Sequence, residues 1–263
     1  MPIPRVHLFE LEDQAWFPNI IRDLATDYLQ FMETKMKLHR AIVPLLANAL
    51  HETRSTTVVD VCAGGGGPVV SLQEEISASG VPVHFILTDK FPNLAAFERL
   101  ELEHRGIEGH RQPVDATAVP PELQGFRTIF NAFHHFKPDD ARAVLRSAVD
   151  ARQPIAIFEI PERTIPIVIS TALLTPIFVL LATPFIRPFR WSRLLFTYLL
   201  PLVPLTCLWD GFVSQLRAYT PEELNTLATR LGDVGYQWDA GKVRLHASPA
   251  HLTYLIGWPT RGG

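Results

Sequence analysis
The segment Val58-Val59-Asp60-Val61-Cys62-Ala63-Gly64-Gly65-Gly66-Gly67 is the part of this sequence best suited to chemistry. Four glycines straight after a β-branched run let the backbone turn tightly and approach a ligand where any Cβ would collide. A glycine run alone could be only a turn, so the neighbouring acids decide its reading. A dinucleotide site would need G-x-G-x-x-G, but Cys62 stands where its first glycine belongs; a P-loop would need Gly-Lys-Ser/Thr, but Pro68 stands where the lysine belongs. Asp89 ends a second apolar run, 25 residues beyond Gly64, and is followed by Lys90. A carboxylate at a strand end can accept from both hydroxyls of a ribose; the competing role is capping a helix that begins near Pro92. Asp115, followed by Ala116, is expected where a third strand ends. There it can accept from an adenine amino group or act as a turn residue.

The elements that must position these groups follow from periodicity. Residues 13–50 carry helical spacing in two stripes, Ile20, Ile21, Leu24, Tyr28 and Leu29, then Ile42, Val43, Leu45, Leu46 and Leu50. Strands are predicted at TTVVDV, VPVHFIL, FRTIFNA and PIAIFEI. Helices are predicted at VVSLQEEISAS, NLAAFERLELEHRG and PDDARAVLRSAVDA. Strands alternating with helices imply parallel pairing through right-handed crossovers. TPEELNTLATRLGDVG reads as a helix with a Thr220–Glu223 capping box and Gly235 near its end, and YQWDAGKVRL and LTYLIGW as two closing strands.

Across 263 residues, 47% are hydrophobic and 19% charged, which indicates a well-filled core, and one large domain is the simplest reading. A net charge of -3 offers no basic excess to neutralise phosphates, so nucleic acid is excluded as a partner and a small or apolar substrate is favoured. Cys62 and Cys207 fit no metal spacing and no disulfide framework, and MPIPRVHLFELED lacks a signal-peptide layout. A cytoplasmic location and no metal are expected.

On these motifs the sequence resembles the class I S-adenosylmethionine-dependent methyltransferases, over about residues 56–160 plus the closing strand pair. The family's acid-x-Gly-x-Gly-x-Gly pattern falls on Asp60, Cys62, Gly64 and Gly66, with Cys62 replacing the first glycine. Its ribose acid falls on Asp89, its adenine-side acid on Asp115, and its strand-four motif beside the transferred methyl on residues 131–136, Asn-Ala-Phe-His-His-Phe. The resemblance implies an α/β, doubly wound, mostly parallel seven-stranded sheet, with N-terminal helices and an apolar helical insertion. It implies S-adenosyl-L-methionine as cofactor, held by Asp60, Cys62, Ala63, Gly64, Gly66, Asp89, Lys90, Asp115, Ala116 and Asn131. The expected division is a helical cap at 1–50, a cofactor-binding core at 51–162, the insertion at 163–212 and a completing segment at 213–263. An N-terminal helix carrying Trp16, Phe17 and Arg22 could cover the cofactor, or these residues could simply pack.

Methyl transfer is an in-line displacement, so the protein's work is alignment, exclusion of water and, for a protonated acceptor, removal of a proton. His134 and His135 are the candidate bases, against the alternative of two loop histidines. Glu159, at the end of the fifth strand, is the third catalytic candidate unless it pairs with Arg163. Asp210 and Arg217 are candidate substrate contacts, with an internal ion pair as the alternative.

Residues 165–186 are 22 consecutive uncharged positions, followed by Arg187, Arg190 and Arg193, and residues 194–209 add 16 more. Pro166, Pro176, Pro184, Pro201 and Pro204 argue for broken helices. Three readings compete: a lid over the active site, an in-plane or re-entrant membrane anchor with the three arginines at headgroup level, or a transmembrane hairpin. All favour an apolar or lipid-like methyl acceptor, with a membrane surface as a further partner. The rival functions are a non-methylating reaction on the same cofactor, such as cyclisation, and a membrane-associated binding protein with a relic site.

Overall fold
The computed structural model describes residues 3–232, 235–245 and 250–260. In chain order the elements begin with α1 (Asn19–Met36), α2 (Val43–Thr53), β1 (Thr57–Asp60), α3 (Val69–Ala78), β2 (His84–Leu87), α4 (Leu94–Glu103), β3 (Ile107–Gly109) and β4 (Phe126–Phe130). They continue with α5 (Pro138–Asp150), β5 (Ile155–Glu159), α6 (Ile165–Ala182), α7 (Trp191–Leu194), α8 (Leu202–Arg217), α9 (Pro221–Thr229), β6 (Tyr236–Arg244) and β7 (His251–Pro259).

Two compact units emerge, and each is described by itself. The larger takes Lys37–Ile160 and Thr220–Gly263 and contains the whole sheet, in the order β3-β2-β1-β4-β5-β7-β6. β1 to β5 run parallel, while β7 is antiparallel to both β5 and β6. β4 and β5 are buried along their full lengths, which explains their unbroken apolar character: both faces of a parallel sheet are covered by helices. Phe85, Phe126 and Phe158 from the strands meet Leu72, Ile76, Phe97, Leu46 and Leu50 from the helices in one core. The chain leaves β1 towards β2 and later returns to β4 on β1's other side. The carboxyl ends of β1 and β4 therefore flank the switch point where such sheets open a crevice.

Three sequence expectations change here. The third strand is only Ile107–Gly109, so Asp115 lies beyond its end, in the following loop. α9 stops at Thr229, with Gly232 in the left-handed region after it; the remainder of the expected helix includes residues 233–234, outside the described residues. Boundaries at 50, 162 and 212 also differ from the compact units: α2 joins the sheet because Leu46, Ala49 and Leu50 supply its core, and the sheet unit resumes at Thr220.

The smaller unit takes Met1–Met36 and Pro161–Tyr219. α6 runs for 18 residues with Pro176 inside it, against the expectation of a broken helix there, while the other prolines of the region fall at helix starts and short turns, where a missing N–H costs little. Phe17, Ile21, Leu24 and Tyr28 of the N-terminal segment and α1 pack on Val179 and Ala182 of α6 and on Val203 and Cys207 of α8. Trp16 stays exposed, and Arg22 donates to the carbonyls of Glu12 and Gln14, so this arginine shapes the loop before α1.

Asp210 and Arg217 also serve this unit rather than an open surface. The Asp210 carboxylate accepts from Leu11 N (2.7 Å) and Glu12 N (3.0 Å). Arg217 Nη1 lies 3.2 Å from Glu10 and 2.9 Å from Asp13, and its Nε donates to the Leu8 carbonyl. Arg217 thus forms internal ion pairs, whereas Asp210 serves backbone donors instead, because an extended segment lacks its own backbone partners and borrows these side chains. Burial pushes the Asp210 carboxyl up to about 6, with Glu10 and Asp13 adding to the rise against the two backbone donors. An acid raised in the folded state contributes stability that is fully present below its ordinary value, about 4, and is lost as pH rises through the folded value. Relative to the native protein, Asp210→Asn is therefore expected to gain in melting temperature as pH climbs from about 4 to about 7. A difference that stays constant across that range would show that Asp210 does not titrate in this way.

Candidate active site
The glycine turn sits at the carboxyl end of β1. Gly64, Gly66 and Gly67 adopt φ of 52°, 101° and 42°, a region L side chains avoid. At Gly66 a Cβ would also stand 2.4 Å from Leu100 Cδ1 on α4, so a larger residue there must both displace that methyl and adopt the strained φ. At Gly64 the same construction meets no atom within 4 Å, which makes the turn an open cradle. Ala63 N donates to the Thr88 carbonyl (2.9 Å), stitching the turn to the end of β2.

Asp89 lies on that end, and its carboxylate accepts from Gly64 N and Phe91 N, both at 2.8 Å. It thus joins the glycine turn to the residue that starts the next loop. Asp115 is drawn to the same place, as Val114 N donates to the Asp89 carbonyl (2.9 Å) and Lys90 Nζ reaches Asp115 Oδ2 at 2.8 Å. Thr117 donates through both N and Oγ1 to Asp115 Oδ1. Lys90 and Thr117 together hold the Asp115 carboxyl down at about 2. Ala116 is buried beside it and Asp60 is buried at the end of β1. Burial pushes the half-buried Cys62 thiol well up, and Asp60, Asp89, Glu159 and Asp115 push it further. Cys62 therefore remains a thiol; of the acids that raise it, Asp115 is paired with Lys90 and Glu159 faces His134.

The carboxyl ends of β4 and β5 carry the remaining groups. Asn131 takes a left-handed φ of 51°, receives the Ile160 N–H on its side-chain oxygen at 2.8 Å, and donates its own N–H to the Phe158 carbonyl. That pair of bonds locks the two strand ends together. Glu159, only 1% exposed, receives Phe133 N on Oε1 at 2.7 Å and faces His134 Nδ1 with Oε2 at 2.6 Å. With Nδ1 donating to Glu159, a neutral His134 keeps Nε2 as its acceptor atom. His135 is half-buried, with its ring centroid 4.3 Å from that of His134. All three candidate catalytic residues are thus brought together.

No protein-family model and no curated protein matches the sequence. Solved structures do. An O-methyltransferase family protein from Burkholderia thailandensis is similar with a TM-score of 0.50 at 14% identity, over 89% of this chain and 59% of that one. Human N-acetylserotonin methyltransferase, solved with S-adenosylmethionine, gives 0.50 at 12% identity over 90% and 56% of the two chains. The plantazolicin methyltransferase BpumL, solved with S-adenosylhomocysteine and a triazolic desmethylplantazolicin analogue, gives 0.50 at 10% over 92% and 99%. Methyltransferases, among them ones solved with S-adenosylmethionine or S-adenosylhomocysteine, therefore share this fold. The fold is that of the class I methyltransferases. The chain spans less than three fifths of the length of the first two of these proteins.

Within this methyltransferase fold, residue-by-residue reading of the sequence missed Thr88 and Thr117. Thr88 Oγ1 donates to the Asp60 carbonyl at 3.0 Å, which fixes the spacing of the β1 and β2 ends. Thr117 completes a turn on Asp115, and the Asp-Ala-Thr spelling was the available signal. Thr88 had no signal, since a threonine at a strand end is ordinary.

Proposed function
We propose that the chain is an S-adenosylmethionine-dependent methyltransferase whose acceptor is a small apolar or lipid-like molecule bearing an ionisable hydrogen. The observation that carries this reading is the open cradle at Gly64, bordered by Asp89, whose carboxylate accepts from Gly64 N. An unfilled Cβ direction at a left-handed glycine at the end of β1 is room for a ligand, and the Asp89 carboxylate beside it is an acceptor for ribose hydroxyls. When bound, S-adenosylmethionine supplies an electrophilic methyl group.

The chain's own residues then have distinct tasks. Asp89 takes the ribose hydroxyls and Asp115 with Ala116 takes the adenine amino side, while Lys90 keeps Asp115 ionised. Asp60, Cys62, Ala63, Gly64 and Gly66 shape the cradle floor, and Asn131 holds the adjoining strand ends. Glu159 orients His134, whose Nε2 receives the proton that leaves the acceptor. Taken by itself, the smaller unit has a groove of about 590 Å³ lined by Phe9, Leu11, Trp16, Phe17, Leu205 and Trp209, whose apolar lining suits an apolar ligand. Titration calorimetry with S-adenosylmethionine and S-adenosylhomocysteine is expected to show one site per chain. Absence of heat and of thermal stabilisation with both compounds would defeat the proposal. Methyl-labelled cofactor incubated with apolar alcohols and phenols then identifies the acceptor class.

A further inference from the structure
We infer that the smaller unit seats the protein on the surface of an anionic lipid bilayer, with α6 lying in the plane of the interface. α6 with its following turn, Ile165–Phe185, is apolar on every side, yet only 11% of its most apolar window is buried. One side packs on α8, closely enough that a Cβ at Gly211 would stand 3.3 Å from Thr171 Cγ2. The other side leaves Ile169, Leu173, Ile177 and Leu181 exposed at 52%, 65%, 50% and 63%. These four recur every fourth residue and form one stripe on the helix. The surface continues over Phe185, Phe189, Trp191 and Leu199, all exposed. So large a contiguous apolar area on a folded chain marks a partner of matching chemistry.

The chemistry around the rim selects the partner. Beside the apolar surface stand exposed Arg187, half-exposed Arg190, Trp191 and Tyr198. Amphipathic aromatics beside cations match the headgroup level of a membrane with anionic lipid. Arg190 Nη1 also lies 3.7 Å from Asp27 while staying half-exposed, whereas Arg193, paired with the same carboxylate, is buried and donates to the carbonyls of Ile186 and Pro188, so it folds the turn from within.

Ile165–Phe185 spans about 30 Å, enough to cross a bilayer, but its neighbours forbid crossing. α1 packs against the same pair of helices through Leu24 and Tyr28 and also carries Arg22, exposed Asp23 and exposed Lys35, while its Asp27 turns to Arg193. A transmembrane hairpin would carry those charges into hydrocarbon, at about 2.5 to 3.5 kcal/mol for each central one. The second arm is also bent by 73° between Trp191–Leu199 and Leu202–Arg217, and its far end holds Asp210 and Arg217. One wet side and one apolar side describe a monotopic seat.

Flotation of the full chain with phosphatidylcholine vesicles, with and without phosphatidylglycerol, tests this inference. The native protein is expected to rise with the anionic vesicles. Leu173→Glu/Ile177→Glu should remain at the bottom while keeping its melting temperature and cofactor affinity. Arg187→Gln/Arg190→Gln should lose the preference for phosphatidylglycerol, at about fivefold in affinity per arginine. Failure of the native protein to float, or flotation of the glutamate variant, would overturn the seat. Resistance to carbonate extraction with a protease-protected tip at residues 183–201 would replace it with a span. A stable dimer in sedimentation that needs Leu173 and Ile177, without flotation, would replace it with a second copy of the chain. Cofactor binding is measured on the same samples, so failure of the methyltransferase reading is seen separately.

Discussion

Glu159→Gln is expected to lower turnover by about a hundred- to ten-thousandfold while leaving cofactor affinity within a few-fold of native. The glutamate holds Phe133 N on one oxygen and His134 Nδ1 on the other, and both side chains are buried. Glutamine can still accept the Phe133 N–H, so the loop stays in place. Its amide nitrogen, however, donates towards Nδ1, which turns Nδ1 into the acceptor and places the ring proton on Nε2. A histidine in that tautomer has no lone pair at Nε2 with which to take a proton from an acceptor. His134→Gln should show a similar loss, because it removes the base directly. Glu159→Ala should behave differently: it strands two buried donors and is expected to cost about 1 to 3 kcal/mol of stability as well as activity. Single-turnover kinetics and thermal melts separate these outcomes. Native turnover in both Glu159→Gln and His134→Gln would remove the pair from the reaction, and native turnover in His135→Ala would assign the ring beside it to packing.

Asp89→Ala is expected to weaken S-adenosylmethionine by about ten- to a hundredfold, the loss of a charge-assisted double acceptor. The same carboxylate already receives Gly64 N and Phe91 N, so the alanine variant also loosens the cradle itself. Asp89→Asn divides the two effects, since its single carbonyl oxygen can keep one backbone donor while the charge is gone. If the charge faces the ribose, the asparagine variant should bind the cofactor almost as poorly as the alanine variant yet melt closer to the native protein. Calorimetry and melting curves on the pair provide the readout. Native affinity in Asp89→Asn would mean that Asp89 serves the turn alone.

These expectations differ in how far they could be read from the chain. The strand, glycine turn and helix over β1 and α3 were legible because every requirement is local: β-branched residues favour the extended chain, glycine alone tolerates the left-handed turn, and helical spacing follows at once. Parallel order was legible for the same reason, as strands alternating with helices leave few other topologies. The length of β3 was not, since three residues present no period to read. Its shortness moved Asp115 into a loop, and only Lys90, Thr117 and the bond from Val114 to Asp89 return it to the cradle.

Pairings between distant residues belonged to the tertiary structure. Glu159 could have met Arg163 four residues on, and adjacency in sequence favoured that pair; instead β4 beside β5 brings His134 and Phe133 N to it from 25 and 26 residues away. Asp210 and Arg217 were visible as charges in an apolar stretch with two competing duties, and the choice depends on an N-terminal segment about 200 residues earlier that needs side-chain partners for its backbone. Arg193 looked equivalent to Arg187 and Arg190 in a basic cluster, but helix phase turned it inward to Asp27. Residue type and local spacing determine what a segment can do, because propensity and turn chemistry act within a few residues. Which of several competent partners a charged group meets is decided by packing, because burial leaves no water to satisfy the alternatives.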